Sequence, residues 1–169
     1  MFPVLKKMVL LFLFFSFFTL WAAEDYSFEL YTMKGKLLST AEIMHDPEVK
    51  YLIVDFFSLM CEPCKKSLPK WDEFYKENKS KGFEFLLVSL PVKGEGKKAE
   101  KDLKNYFKNN VFSFRMVFDK FYVVGKKFGA VTSGNDVKLP MIFVLDKSGN
   151  LIFKAESYDE AVLKIKELK

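Results

Sequence analysis

Cys61 and Cys64 are the only thiols in the 169-residue chain, and both lie in the stretch FFSLMCEPCKKSLP, residues 56–69. A pair separated by two residues can staple the chain, clip a soft metal or exchange a disulfide with a partner. The staple is weak chemistry here, because the entropic gain of a cross-link grows with the loop it closes. It is also not needed: 50% of residues are apolar and 17% aromatic, enough for a sizeable core. A structural zinc site takes four ligands, whereas the chain offers two cysteines and one histidine, His45, in a separate region. Cu(I) needs only soft thiolates and stays open.

The third chemistry needs particular elements around the pair. "YLIVDFF" (51–57) is an apolar run broken by Asp55, as in a central strand covered on both faces. "CKKSLPKWDEFYKENKSKG" (64–82) carries Leu68, Trp71, Phe74 and Tyr75 at helical spacing and stops at Gly82. Cys61 therefore falls near the N-cap of a helix, where free amides and the helix dipole favour a thiolate. The thiolate is the species that attacks a disulfide. Pro63 suits the first helical turn, where its missing N–H costs nothing, and it stiffens the loop. Cys64, one turn in and more buried, can attack the mixed disulfide on Cys61 and release the partner. On this expectation Cys61 is the nucleophile and Cys64 the resolving thiol.

The remaining chain supplies alternating strands and helices. "YSFELYT" (26–32) alternates like a half-buried strand and turns at Gly35. "FEFLLVSL" (83–90) is a second central strand, and a helix begins near Lys97. "RMVFD" (115–119) is extended, and "KFYVVGKKFGA" (120–130) is a short helix stopped by Gly129. "PMIFVLDKSGNLIFKAES" (140–157) is a hairpin whose turn carries glycine, and 158–169 is a closing helix. The order predicts an α/β sandwich whose terminal hairpin adds an antiparallel edge.

Residues 1–23 read as a separate unit. Lys6 and Lys7 precede an uncharged run from Met8 to Ala23, the pattern of a secretory signal or an N-terminal membrane anchor. The expected domains are thus a leader over 1–23 and a folded domain over 24–169, outside the cytoplasmic membrane. Net charge is +5, and it falls to +3 when the two leader lysines are removed. Arg115 is the only arginine. A lysine-rich surface without arginine forks, its lysines interleaved with acids, is a solvated face and not a nucleic-acid footprint.

The segment "VDFFSLMCEPCKKSLP" resembles the active-site segment of the thioredoxin superfamily. The leader, the early hairpin, the C-E-P-C motif and Pro69, five residues after Cys64, are similar to the exported TlpA and ResA branch. "KLPMIFVLDKSGNLIF" resembles that branch's second signature, and the likeness covers roughly residues 26–168. It implies a thioredoxin-like α/β/α sandwich with a central mixed sheet and an N-terminal β-strand extension. It further implies an extracytoplasmic thiol–disulfide oxidoreductase, a reductase in periplasmic protein or cytochrome c maturation. By the same resemblance Cys61 and Cys64 are the redox pair. Pro140 is the cis-proline beside it, leaving the Leu139 backbone to an extended substrate strand. Asp55 matches a buried acid with a raised pKa that accepts a proton from Cys64 during resolution. Glu62 opposes thiolate formation on Cys61 by like charge.

Departures from the pattern bear on partners. Met60 replaces the usual tryptophan before the first cysteine, Phe57 replaces the strand tryptophan, and the loop from Val131 to Leu139 is longer than in many relatives. Two alternatives stand beside the reductase. A copper chaperone on this fold carries C-x-x-x-C and a downstream histidine, whereas no histidine follows His45. A thiol peroxidase needs a serine or threonine three residues before its cysteine, as Ser58 is, and an arginine nearby, whereas Arg115 is remote in sequence. The expected partners are disulfide- or thiol-bearing proteins and a membrane thiol donor. No cofactor and no resident metal are implied, and nothing demands more than a monomer.

Overall fold

A computed structural model describes residues 26–91 and 97–168. The leader expected over 1–23 lies outside the described residues. Among the described residues, no helix is long and apolar enough to cross a membrane.

The chain enters through a short antiparallel hairpin, β1 (Glu29–Tyr31) and β2 (Leu37–Ser39), which turns at Gly35. Helix α1 (Thr40–His45) follows directly. Buried Thr40 ties the two together: its Oγ1 accepts from the Phe28 amide at 2.9 Å and lies 3.2 Å from the Phe28 carbonyl. Six residues are under two turns, too few for an apolar period to show, and the sequence gives no sign of α1.

The main sheet contains β3 (Tyr51–Phe57), β4 (Phe83–Ser89), β5 (Arg115–Phe118), β6 (Met141–Asp146) and β7 (Leu151–Ala155). Their order is β5-β4-β3-β6-β7. β3, β4 and β5 run parallel, and β6 and β7 run antiparallel to their neighbours, so the expected mixed sheet is formed. β3 is central and covered on both faces. Its even residues Leu52, Val54 and Phe56 join Phe28, Ile43 and Val124 in one core. The odd residues Ile53 and Phe57 join Leu68, Trp71, Leu103 and Ile165 in the other. The hairpin, α1 and α4 (Val123–Lys127) thus cover one face. Helices α2 (Glu62–Asn78), α3 (Lys97–Asn109) and α5 (Tyr158–Lys166) cover the other. This is the three-layer α/β/α sandwich that the resemblance implies.

Helix α2 starts at Glu62 with Cys61 as its N-cap, as the sequence predicts, and it ends through a short 3-10 turn, Lys79–Lys81. Gly82 stops it with φ 94°. A Cβ there would lie 2.8 Å from Lys50 Cγ and 3.0 Å from the Glu48 carbonyl, so only glycine fits the turn into β4.

Candidate active site

β3 ends at Phe57, and after three intervening residues Cys61 caps α2. The cap is built by backbone bonds: the Cys61 amide donates to the Ser58 carbonyl and the Lys65 amide to the Cys61 carbonyl, each at 3.0 Å. Cys61 Sγ accepts from the Cys64 amide at 3.2 Å. The sulfur thus already faces an N–H at the positive end of a 17-residue helix, the setting that lowers a thiol pKa once the pair is reduced. Pro63 is at the second helical position, where no amide is needed. Cys61 and Cys64 form a disulfide with Cα atoms 5.2 Å apart. Cys64 is the more buried, 1% exposed against 9% for Cys61, and its sulfur lies 3.9 Å from the Phe56 carbonyl.

Two further groups reach the pair through strand register. Phe56 pairs with Met141, so the residue before Met141 falls level with the end of β3. That residue is Pro140, and the Leu139–Pro140 peptide is cis. Asp55, an odd residue of β3, faces the α2 layer and is 2% exposed. Its Oδ1 has no hydrogen-bond partner, and neither does the buried Trp71 Nε1. Burial pushes the Asp55 carboxyl well above the usual carboxylate range. The nearby Trp71 indole opposes this but does not outweigh it, and its N–H does not reach hydrogen-bonding geometry. Cys64 rests against the backbone of the next residue, Phe56, on the same side of the sheet. The raised pKa means that the buried carboxyl, when ionised, is a stronger base than an ordinary carboxylate, and it lies on the same side of the sheet as the inner thiol.

Glu62 opens α2 and is exposed, and it forms an ion pair with Lys65 one turn on. The like-charge effect expected of Glu62 on Cys61 is therefore offset by an ammonium. Met60 is 72% exposed beside the disulfide. A groove of about 590 Å³ opens there, walled by Met60, Cys61, Pro91, Val137 and Leu139. Asn135 and Asp136 complete one side. Sequence reasoning marks the Val131–Leu139 loop for its length but not for these residues. The loop folds back through a Val131–Val137 bridge and a 2.9 Å bond from the Thr132 amide to the Asp136 carbonyl, with Asn135 at φ 64°.

Other candidates fall elsewhere. His45 Nδ1 lies 2.9 Å from the Ala41 carbonyl. It borders the turn between β6 and β7, at the opposite end of β3 from Cys61. Among the described residues, no group of three His, Cys, Asp or Glu could hold a metal ion. Ser58 is buried beside Cys61, but Arg115 begins β5 and its Nε lies 4.0 Å from buried Glu84. The arginine a peroxidase requires is thus held away from the thiols.

The AhpC/TSA family pattern matches residues 22–154. The thiol-disulfide oxidoreductase ResA of Bacillus thuringiensis subsp. konkukian is 26% identical over 129 residues, 76% of this chain and 65% of its own length. The match therefore spans just under two thirds of that relative. Among solved structures, a thiol-disulfide oxidoreductase from Bacteroides fragilis superposes with a TM-score of 0.65 at 22% identity, covering 85% of this chain and 97% of that one. StoA from Bacillus subtilis gives 0.60 at 22% identity, covering 79% and 90%. At such identities these structures speak for the fold alone, and they agree with the sandwich seen here. Since the family pattern spans most of the chain and takes in both cysteines and the cis-proline strand, the protein belongs to the AhpC/TSA family and carries its thioredoxin-like fold.

Proposed function

We propose that the protein is an extracytoplasmic thiol–disulfide oxidoreductase that exchanges disulfides with protein partners through Cys61 and Cys64. The observation that carries this is the Cys61–Cys64 disulfide at the N-terminus of α2, opening into a groove beside the cis Leu139–Pro140 peptide. In the reduced protein, Cys61 thiolate attacks one sulfur of a substrate disulfide, and the other leaves as a thiolate. Asp55, in its ionised form, takes the proton from Cys64, whose thiolate then attacks the Cys61 sulfur of the mixed disulfide; the proton passes on to solvent. The second substrate sulfur departs, so the substrate gains two electrons and the Cys61–Cys64 pair loses them. A dithiol donor, such as a membrane thiol protein, restores the reduced pair by the reverse exchange.

The basic start and uncharged run of residues 1–23, read as a leader, support a location outside the cytoplasmic membrane, and resemblance to the ResA branch favours reduction in periplasmic protein or cytochrome c maturation. The reduction potential of the Cys61–Cys64 pair, equilibrated against glutathione, decides the direction. Cys61→Ala should abolish reduction of insulin disulfides, and Cys64→Ser should retain partners as mixed disulfides on Cys61. Full activity in Cys61→Ala would refute the assignment.

A further inference from the structure

Asp55 and Trp71 leave a matched pair of polar atoms unused in the core. Trp71 Nε1 is a donor only, Asp55 Oδ1 can accept, and neither has a partner. The two residues are 2% and 0% exposed, respectively. A buried indole N–H is ordinarily bonded, so an orphan here calls for a reason. Trp71 shares the buried face of α2 with Cys64 and Leu68, and it lies two turns beyond the resolving thiol. Its ring is held by three others: Phe85 of β4 at 5.0 Å, Phe74 at 5.5 Å and Tyr158 of α5 at 4.8 Å between centres. Phe85 pairs with Ile53, two residues before Asp55 in β3, which brings the indole toward the level of the carboxyl. The indole is close enough to act on that carboxyl as a donor.

A carboxyl serves Cys64 as a base only when ionised, and a carboxylate buried without a donor is costly. An N–H bonds a carboxylate about twice as strongly as a neutral acid, so a donor at this place favours the ionised form. The packed indole cannot turn, but the last torsion of an aspartate is broad and lets the carboxyl swing toward Nε1. Resting on the exchange mechanism above, we propose that Trp71 is a positioning residue for Asp55. Its N–H closes onto the carboxylate when the acid ionises, and so sets the pH range in which Cys64 can be deprotonated. In this role the indole acts through Asp55 and not on the sulfurs. Charged and titratable groups on the elements packed here are engaged elsewhere. Asp72 of α2 binds Lys76 and the Ser113 amide, and Glu62 pairs with Lys65. Glu84 of β4 accepts from the Tyr75 hydroxyl at 2.7 Å, and the Tyr158 hydroxyl lies 3.4 Å from the Lys70 carbonyl. Tyr106 of α3 packs on Phe57 at 5.9 Å. Leu87 and Ile142, which flank Asp55 in the sheet, carry no charge. Cys61 and Cys64 titrate only when reduced, so the oxidised protein reports the Asp55–Trp71 pair by itself.

The test uses the whole chain carrying Trp21→Phe, which leaves Trp71 as its sole tryptophan. In the oxidised protein, Trp71 emission should change with pH as Asp55 ionises, and the change should be absent in Asp55→Asn. Carbon-13 NMR of the aspartate carboxyls follows the same ionisation independently. Trp71→Phe keeps a ring and removes the N–H. It should raise the Asp55 midpoint by about one to two pH units, the worth of one hydrogen bond to a charged group. Release of the Cys61 adduct should move to higher pH by the same interval, while adduct formation by Cys61 keeps its own profile. Loosened packing would admit water and lower the midpoint, so the direction separates a lost N–H from a damaged core. The emission titration is read with the indole in place, and it decides the matter should Trp71→Phe fold poorly. Emission that does not follow Asp55, or a midpoint unmoved or lowered in Trp71→Phe, would overturn the role of Trp71 and leave the exchange function standing. A protein that reduces no insulin disulfide at any pH would overturn the exchange function, and with it the step that Trp71 serves.

Discussion

Replacing Asp55 by asparagine removes a titration from the interior while nearly preserving side-chain size. The carboxyl is 2% exposed, its Oδ1 is unpartnered, and burial holds its pKa well above the usual range. In the unfolded chain an aspartate titrates near pH ~3.9. Above that pH the unfolded chain has released the proton while the folded protein keeps it. The folded state then binds one proton more than the unfolded state, and stability falls as pH rises, by up to about 1.4 kcal/mol per pH unit. The stability lent by the neutral acid is complete below the unfolded value and is lost as pH climbs through the folded one. Asparagine has no proton to lose. The stability of Asp55→Asn minus that of wild type should therefore rise from about pH 4 upward at that slope, and level off once wild-type Asp55 ionises. The other carboxyls titrate in both proteins and cancel in the difference. Urea unfolding of the oxidised forms at half-unit steps of pH reads this directly. A difference that stays flat over the first two units above pH ~4 would show that the Asp55 pKa is not raised, and the stronger base it is argued to supply to the resolving step would fall with it.

The same substitution has a kinetic consequence. Without a proton acceptor for Cys64, release of the mixed disulfide should slow by roughly a hundredfold or more, the usual size of a general-base contribution. Acid-quenched samples should then show the Cys61 adduct accumulating in Asp55→Asn and not in wild type. Packing is tested at Gly125, which lies against the loop that carries Asn135 and Asp136. A Cβ there would lie 2.6 Å from Val131 Cγ2 and 3.1 Å from Leu90 Cδ2. Gly125→Ala should cost about 1–3 kcal/mol by overpacking, seen as a lower urea midpoint with an unchanged m-value.

What the sequence discloses follows from how local each signal is. "YLIVDFF" announces a buried strand because seven residues carry the pattern by themselves, and Asp55 stands out as the one acid in that run. The cap of α2 is equally local, since Cys61, Pro63 and the apolar spacing after them lie within three turns. The groove is not local. Asn135 and Asp136 lie more than seventy residues from Cys61 in sequence, and only the fold of their loop sets them on its rim. The Glu62–Lys65 pair lies between these cases: three-residue spacing permits it, but the same spacing on a helix often leaves charges in water.

Asp55, the cysteine pair and Pro140 meet because β3 and β6 keep one register. A slip of one residue would turn Asp55 to the opposite face and move Pro140 off the level of Phe57. β3 is apolar on both faces, so alternation of hydrophobic residues cannot hold that register alone. The β6–β7 turn can. Asp146, paired with Tyr51 at the first position of β3, accepts from the Ser148 amide at 2.8 Å, the Asn150 amide at 2.9 Å and Asn150 Nδ2 at 3.0 Å. These bonds fix where β6 ends, Lys147 of the same turn reaches the Asp46 and Pro47 carbonyls ahead of β3 at 3.3 and 3.5 Å, and the six residues of β6 then fix where Pro140 must fall. The alignment of the redox end is thus set by a turn about 20 Å away along the strand. The "DKSGN" stretch of the second signature, which carries no redox chemistry, belongs to the architecture of the site for this reason.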